Sequence, residues 1–146
     1  MTDPIGQLTH DHAELNRRVI ALGVQLRKQP DVDSLVAPLR ELRETLFLHF
    51  AREEEGLFPF AIEHVRDLGD QIHAMEIAHD TICGALARMV HLAQTSAAPT
   101  LIAQLFDRFE NAYAAHAQME AELLGLLATR LDADQRTRLA ALVDGL

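Results

Sequence analysis

Apolar residues recur along this chain at three- and four-residue steps in four long runs. Ile5, Leu8, His12, Leu15, Val19, Leu22 and Leu26 form the first stripe, the period of an amphipathic helix with one buried face. Asp3 before Pro4 reads as an N-cap with proline at the first helical position. Pro30 and the Asp31–Ser34 stretch mark a turn and a new cap. The second run carries Leu35, Leu39, Leu42, Leu46, His49 and Glu53. Gly56 and Pro59 weaken it near its end, and Pro59 is a candidate kink. Gly69 and Asp70 open the third run, which turns Ile72, Met75, His79, Ile82, Leu86 and Met89 or Val90 inward. Gln94 to Thr100, with Pro99, is a small-residue turn. The fourth run carries Leu101, Leu105, Phe109, Ala112, His116, Glu120, Leu123 and Leu127. Asp132 with Gln135 resembles a capping box, and Leu139, Leu142, Val143 and Leu146 then make the apolar face of a short fifth helix packed outside. The expected fold is an all-α, antiparallel up-down-up-down four-helix bundle with a short C-terminal helix, one domain over residues 1–146.

The polar residues within these stripes fall at one depth. His12 and His49 flank a midpoint between Pro30 and Asp31. His79 and His116 flank a midpoint between Ala97 and Ala98. A chain that turns at both places brings all four histidines to the same level. His49-x-x-x-Glu53 and His116-x-x-x-Glu120 each place an imidazole and a carboxylate one helical turn apart on one face. Four histidines and two glutamates then converge, a ligand set for two metal ions.

Composition narrows the chemistry further. The 146 residues suit one core, and the abundance of Leu and Ala favours helical packing. A net charge of −9 argues against a nucleic-acid or anionic-membrane surface. The single Cys83 rules out an intramolecular disulfide and a cysteine-rich metal site, and a reducing compartment is the easier reading. Met1-Thr2-Asp3-Pro4 is not a signal-peptide start, and no apolar run approaches a membrane span. These features lead us to expect a soluble cytoplasmic protein.

For a single histidine on an apolar stripe, an ordinary core role is the usual explanation. Here that explanation must cover six polar groups on four inward faces. A buried, uncompensated charge costs roughly several kcal/mol, against a net domain stability of about 5–15 kcal/mol. Arg52 and Arg88 fall off the stripes and do not neutralise the glutamates. A cation accounts for them at lower cost. Nitrogen and oxygen donors exclude a thiolate-type site. Two glutamates from different helices can each bridge two ions about 3.5–4 Å apart, with two histidines on each ion. Iron and manganese suit this set, and zinc can occupy it. Fewer than six protein ligands per ion leaves positions for water, dioxygen, peroxide or nitric oxide.

His12-Ala-Glu-Leu, His49-Phe-x-x-Glu53-Glu54-x-x-Leu57-Phe58-Pro59, His79-Asp80 and His116-x-x-x-Glu120 resemble the hemerythrin-like family, also called HHE cation-binding domains. The resemblance covers nearly the whole chain and is most specific from His49 to Pro59. It implies a four-helix bundle around a non-haem di-iron centre. His12, His49, Glu53, His79, His116 and Glu120 are then the metal ligands, with Glu53 and Glu120 bridging. Oxygen-carrying members have a fifth histidine one turn before the third-helix ligand. Here that place is Met75, with Glu76 beside it, which argues against reversible oxygen carriage. The four-His, two-Glu pattern is closer to bacterial hemerythrin-like proteins, iron–sulfur-cluster repair proteins and an iron-sensing ubiquitin-ligase subunit.

Two function classes follow. One is a sensor or buffer for oxygen, peroxide, nitric oxide or iron. The other is an enzyme that consumes peroxide or donates iron in cluster repair. The repair proteins' short cysteine-bearing N-terminal domain has no counterpart here, which weighs against repair. A bundle that has lost its metal is a third class, and the complete ligand set argues against it. The expected cofactor is two iron ions and the expected partner a small diatomic ligand or peroxide. His10, His64, His73 and His91 fall off the stripes and are expected to be exposed. Glu76 has the Glu-x-x-His spacing to His79 used in ferritin-like sites and is expected to be partly exposed or to support the site from outside. Cys83 is expected to pack as a small apolar group. Tyr113 either hydrogen-bonds near the site or packs at a helix interface. The Glu53-Glu54-Glu55 run is expected to be mostly solvated apart from Glu53.

Overall fold

The structure, a computed structural model, describes residues 3–28, 31–95 and 98–144. The turn expected at Pro30, the Ala97 side of the second midpoint, and Leu146 of the C-terminal face lie outside the described residues. The helices are α1 (Pro4–Arg27), α2 (Val36–Arg52), α3 (Phe58–His64), α4 (Gly69–Gln94), α5 (Pro99–Arg130) and α6 (Ala133–Asp144). The local signals act as read. Asp3 Oδ1 accepts from Ile5 N at 3.3 Å, with Pro4 opening α1. Asp31 caps a short 3₁₀ turn, Val32–Leu35, that leads into α2. Asp132 and Gln135 form a reciprocal capping box at 2.8 and 3.0 Å before α6.

Helices α1, α2, α4 and α5 pack as neighbours around a ring, α5 closing back on α1. This is the antiparallel up-down-up-down bundle. Gly23 permits the α1–α5 approach. A Cβ there would stand 3.0 Å from both Phe106 Cε1 and Glu110 Oε2, so the missing side chain lets the two helices close.

Pro59 produces something other than a simple kink. Having no N–H, it cannot serve the Glu55 carbonyl one turn back, and its ring crowds that position. The chain responds with a π turn over Glu53–Leu57, in which Phe58 N–H reaches back five residues to the Glu53 carbonyl. Such widened turns gather at functional sites, and this one begins at Glu53.

The buried apolar residues separate into two clusters. One joins Leu15 to Leu26, Leu35 to Phe50, Ile82 to Ala93 and Ile102 to Tyr113. The other joins Ile5, Leu8, Leu57 to Leu68, Ile72, Met75, Leu123 to Leu131, Leu139 and Val143. Between them in every long helix lies one polar position: His12, His49 with Glu53, His79, and His116 with Glu120.

Two inward assignments are corrected. Leu101 is exposed, while Ile102 and Phe106 are buried. The inward face of the first turns of α5 runs through Ile102, Leu105, Phe106 and Phe109, so Leu101 falls outside it. Leu142 is also exposed. Helix α6 packs against the π turn and α1 and buries only the narrow line of Leu139, Ala140 and Val143.

Candidate metal centre

All six stripe residues are buried and meet between the two apolar clusters. His49 Nε2 lies 3.0 Å from Glu120 Oε1 and 3.6 Å from Glu53 Oε1. His12 Nε2 and His116 Nε2 lie 3.4 and 3.5 Å from Glu120 Oε2. His79 Nε2 is 3.1 Å from both Glu53 Oε1 and His116 Nε2. Two donor groups emerge, Glu53–His79–His116 and His49–Glu53–Glu120, each with ligand atoms within 4.8 Å of one another. They share Glu53. Glu120 spans the same divide, with one oxygen toward His49 and the other toward His12 and His116.

Electrostatics separates the two carboxylates. Burial, then the neighbouring Glu120, drives the Glu53 carboxyl well above the usual carboxylate range. Burial also pushes Glu120 upward, but the neighbouring Glu53 carboxyl and the imidazoles of His116 and His49 outweigh it and hold Glu120 well below that range. Without a cation the pair therefore keeps a proton on the Glu53 side. Burial lowers His12, with Glu120 opposing. Burial and His116 lower His79 to about 3, so its ring is neutral at ordinary pH.

The His79 ring has neighbours on three sides. Phe50 stacks on it with centroids 3.7 Å apart, and Phe58 lies 5.5 Å away. Its Nδ1 faces Glu54 Oε1 at 3.5 Å. A carboxylate there favours the tautomer with the proton on Nδ1, leaving the Nε2 lone pair aimed at Glu53 and His116. Glu54 is a candidate supporting residue that sequence reasoning did not single out. A step of 100° from Glu53 carries it off the buried stripe, and only the position of α4 reveals that it still reaches a site histidine.

A model of the Hemerythrin HHE cation binding domain matches residues 3–128. The chain belongs to this family. No curated protein and no solved structure matches it.

A hemerythrin HHE domain binds metal cations, and the residues present fit one. Both Glu53 oxygens, Glu120 Oε2 and His12 Nε2 are buried without a hydrogen-bond partner among the described residues. Acceptor faces acceptor, an arrangement that repels itself until a cation or proton lies between. Ligand atoms roughly 2.0–2.2 Å from a common ion and at right angles are about 3 Å apart, close to the shorter separations in this HHE site.

The remaining residues sort clearly. His10, His73 and His91 are exposed, as expected. His64 is half-buried against Phe60, with Nδ1 3.5 Å from Gln135 Nε2, because α6 covers it. Glu76 is half-buried and outside both donor groups. Met75 is fully buried in the cluster with Leu8, Ile72 and Leu123. Burial, with Glu54 and Asp80, pushes the Cys83 thiol up to about 11, so it stays protonated and packs against the core. Tyr113 stacks on Phe109, and its buried hydroxyl has no partner among the described residues. Burial, then Glu120 and Glu53, raises its pKa. No described helix is long and apolar enough to cross a membrane.

Proposed function

We propose that His12, His49, Glu53, His79, His116 and Glu120 hold two iron ions, bridged by Glu53 and Glu120, as a centre that binds or reacts with oxygen, peroxide or nitric oxide. The observation that carries this reading is the sharing of Glu53 between two buried donor groups. His79 and His116 would serve one ion, and His12 and His49 the other. When bound, the ions supply redox and Lewis-acid chemistry toward a small ligand.

The chain's own contribution is placement and polarity. The two carboxylates offset the positive charge in a site walled by apolar clusters. Glu54 orients His79. Phe50 and Phe58 keep water from one flank of that ring. Met75 offers a thioether where oxygen-carrying members have an imidazole, and a thioether is a poor ligand for ferric iron. We read this as a sensor, buffer or oxidising centre rather than a reversible oxygen carrier. The single cysteine supports a reducing compartment, the cytoplasm, as its setting.

Stopped-flow spectroscopy of the reduced, iron-loaded protein mixed with oxygen tests this reading. Oxidation to a stable diferric spectrum that deoxygenation does not reverse is expected. A spectrum that appears with oxygen and vanishes fully on its removal would restore the carrier reading.

A further inference from the structure

Helix α6 lies beyond residues 3–128, the stretch matched by the family model. It nevertheless packs on the π turn that begins at Glu53. Its Leu139 and Val143 join the buried cluster that contains Leu57 of that turn and Phe58 after it. Polar groups fasten the helix. Arg136 donates to the Ala128 and Leu131 carbonyls at the end of α5, and its Nη1 stands 3.6 Å from Oδ2 of Asp3, the N-cap of α1. Gln135 Nε2 lies 3.5 Å from His64 Nδ1 at the end of α3. One short helix is thus tied to the ends of three others while it packs on the turn that carries Glu53.

Both partners in this contact depend on it. A π turn is a rare backbone form. Pro59 forbids the regular alternative, but packing must hold the turn in the form it takes. Helix α6 has 12 residues, and isolated helices of about that length are marginal in water. Its buried line is Leu139, Ala140 and Val143. A peripheral element of this kind opens at a lower free energy than the whole fold.

We propose that α6 is a clamp on the π turn that positions Glu53 for metal: docked, it fixes the shared carboxylate, and undocked, it lets the turn relax and the ions leave. The effect on metal rests on the reading above; the grip of α6 on the turn does not. Linkage makes the coupling mutual. Metal at the centre should therefore hold α6 down, although none of the six centre residues lies on that helix.

Hydrogen exchange of backbone amides in metal-free protein tests the grip. Leu139→Ala, and Val143→Ala as a milder truncation on the same line, should speed exchange at residues 54–58 several-fold. Ile102→Ala, in the other apolar cluster, should not. Unchanged exchange at the turn in both α6 variants, or equal acceleration by Ile102→Ala, overturns the clamp. Zinc-loaded protein tests the consequence. Chelator-driven zinc release should be about fivefold or more faster in the α6 variants and unchanged in Ile102→Ala. Zinc should also slow exchange across α6 in the unsubstituted protein. Release at the unsubstituted rate from both α6 variants, or α6 exchange indifferent to zinc, overturns the positioning of Glu53. A protein that takes up no zinc but still shows the α6 effect at the turn counts against the metal reading alone.

Discussion

The two His-x-x-x-Glu turns share a spacing and little else. His116 and Glu120 lie in the middle of α5, an uninterrupted helix of 32 residues. His49 and Glu53 lie where α2 gives way to the π turn ahead of Pro59. Glu120 accepts from His49 at 3.0 Å and has His12 and His116 nearby, and it is held ionised. Glu53 has no hydrogen bond among the described residues and is driven toward its neutral form. Helical spacing therefore fixes which residues share a face, while the charge each carries depends on what the other three helices bring to it. One carboxylate is provided for by the protein, and the other is left for the cation.

Loss of either glutamate should have the largest effect. Glu53→Ala or Glu120→Ala removes a carboxylate shared by both halves of the site, and elemental analysis should find most of the metal gone. His10→Ala, His73→Ala and His91→Ala should retain it. Full metal content after either glutamate substitution would show that the two turns are not both part of the centre.

Next in size is the outer support of His79, which only the first turn possesses. Glu54→Ala should weaken metal binding about 10–100-fold, the usual cost of removing a carboxylate behind a ligating histidine. Glu55→Ala should change it little. Competition with a chelator measures both, and equal affinities would remove Glu54 from the account.

A smaller effect should appear in the metal-free protein. Glu120→Gln loses hydrogen bonds to a carboxylate, worth about 1–3 kcal/mol, and should lower the melting temperature at neutral pH. Glu53→Gln imitates the protonated state that Glu53 already favours and should leave stability unchanged or higher. If the two variants melt alike, the electrostatic contrast between the turns is wrong.

The pH profile of the metal-free protein sharpens the same contrast. His79 is lowered from 6.5 to about 3, so the unfolded chain takes up a proton that the folded one refuses. That contribution is lost as pH falls from 6.5 toward 3, by at most about 1.4 kcal/mol per pH unit. Glu53, raised from 4.5, acts oppositely: the folded chain keeps its proton, and stability is lost as pH rises above 4.5. Glu120, lowered from 4.5, loses its contribution as pH falls below 4.5. Thermal melts should therefore fall most steeply below pH 4.5, and Glu53→Gln should steepen the fall between pH 4.5 and 6.5. An unchanged slope in that variant would contradict the raised Glu53.

Much of this was legible in the chain because helical burial is periodic. Three-four spacing placed Leu8, His12 and Leu15 on one face, and Met75, His79 and Ile82 on another, and the two midpoints put those faces in register. Periodicity failed at the first turn of α5. Leu101 and Ile102 are equally apolar, and only the positions of α1 and α4 around α5 decide between them. It failed again at Pro59, where a missing donor announces a break but leaves its form open, and the chain adopted a π turn. Glu54 was hidden for a different reason: its approach to His79 joins the π turn to α4 across an interface that neither segment reveals alone.

The central claim is that Glu53 and Glu120 together serve two ions. It is tested most directly by reconstituting the protein anaerobically with ferrous iron, removing excess metal and measuring iron per folded chain. The account predicts about two ions per chain. A well-folded preparation that stays at trace metal, or saturates at one ion, would contradict it.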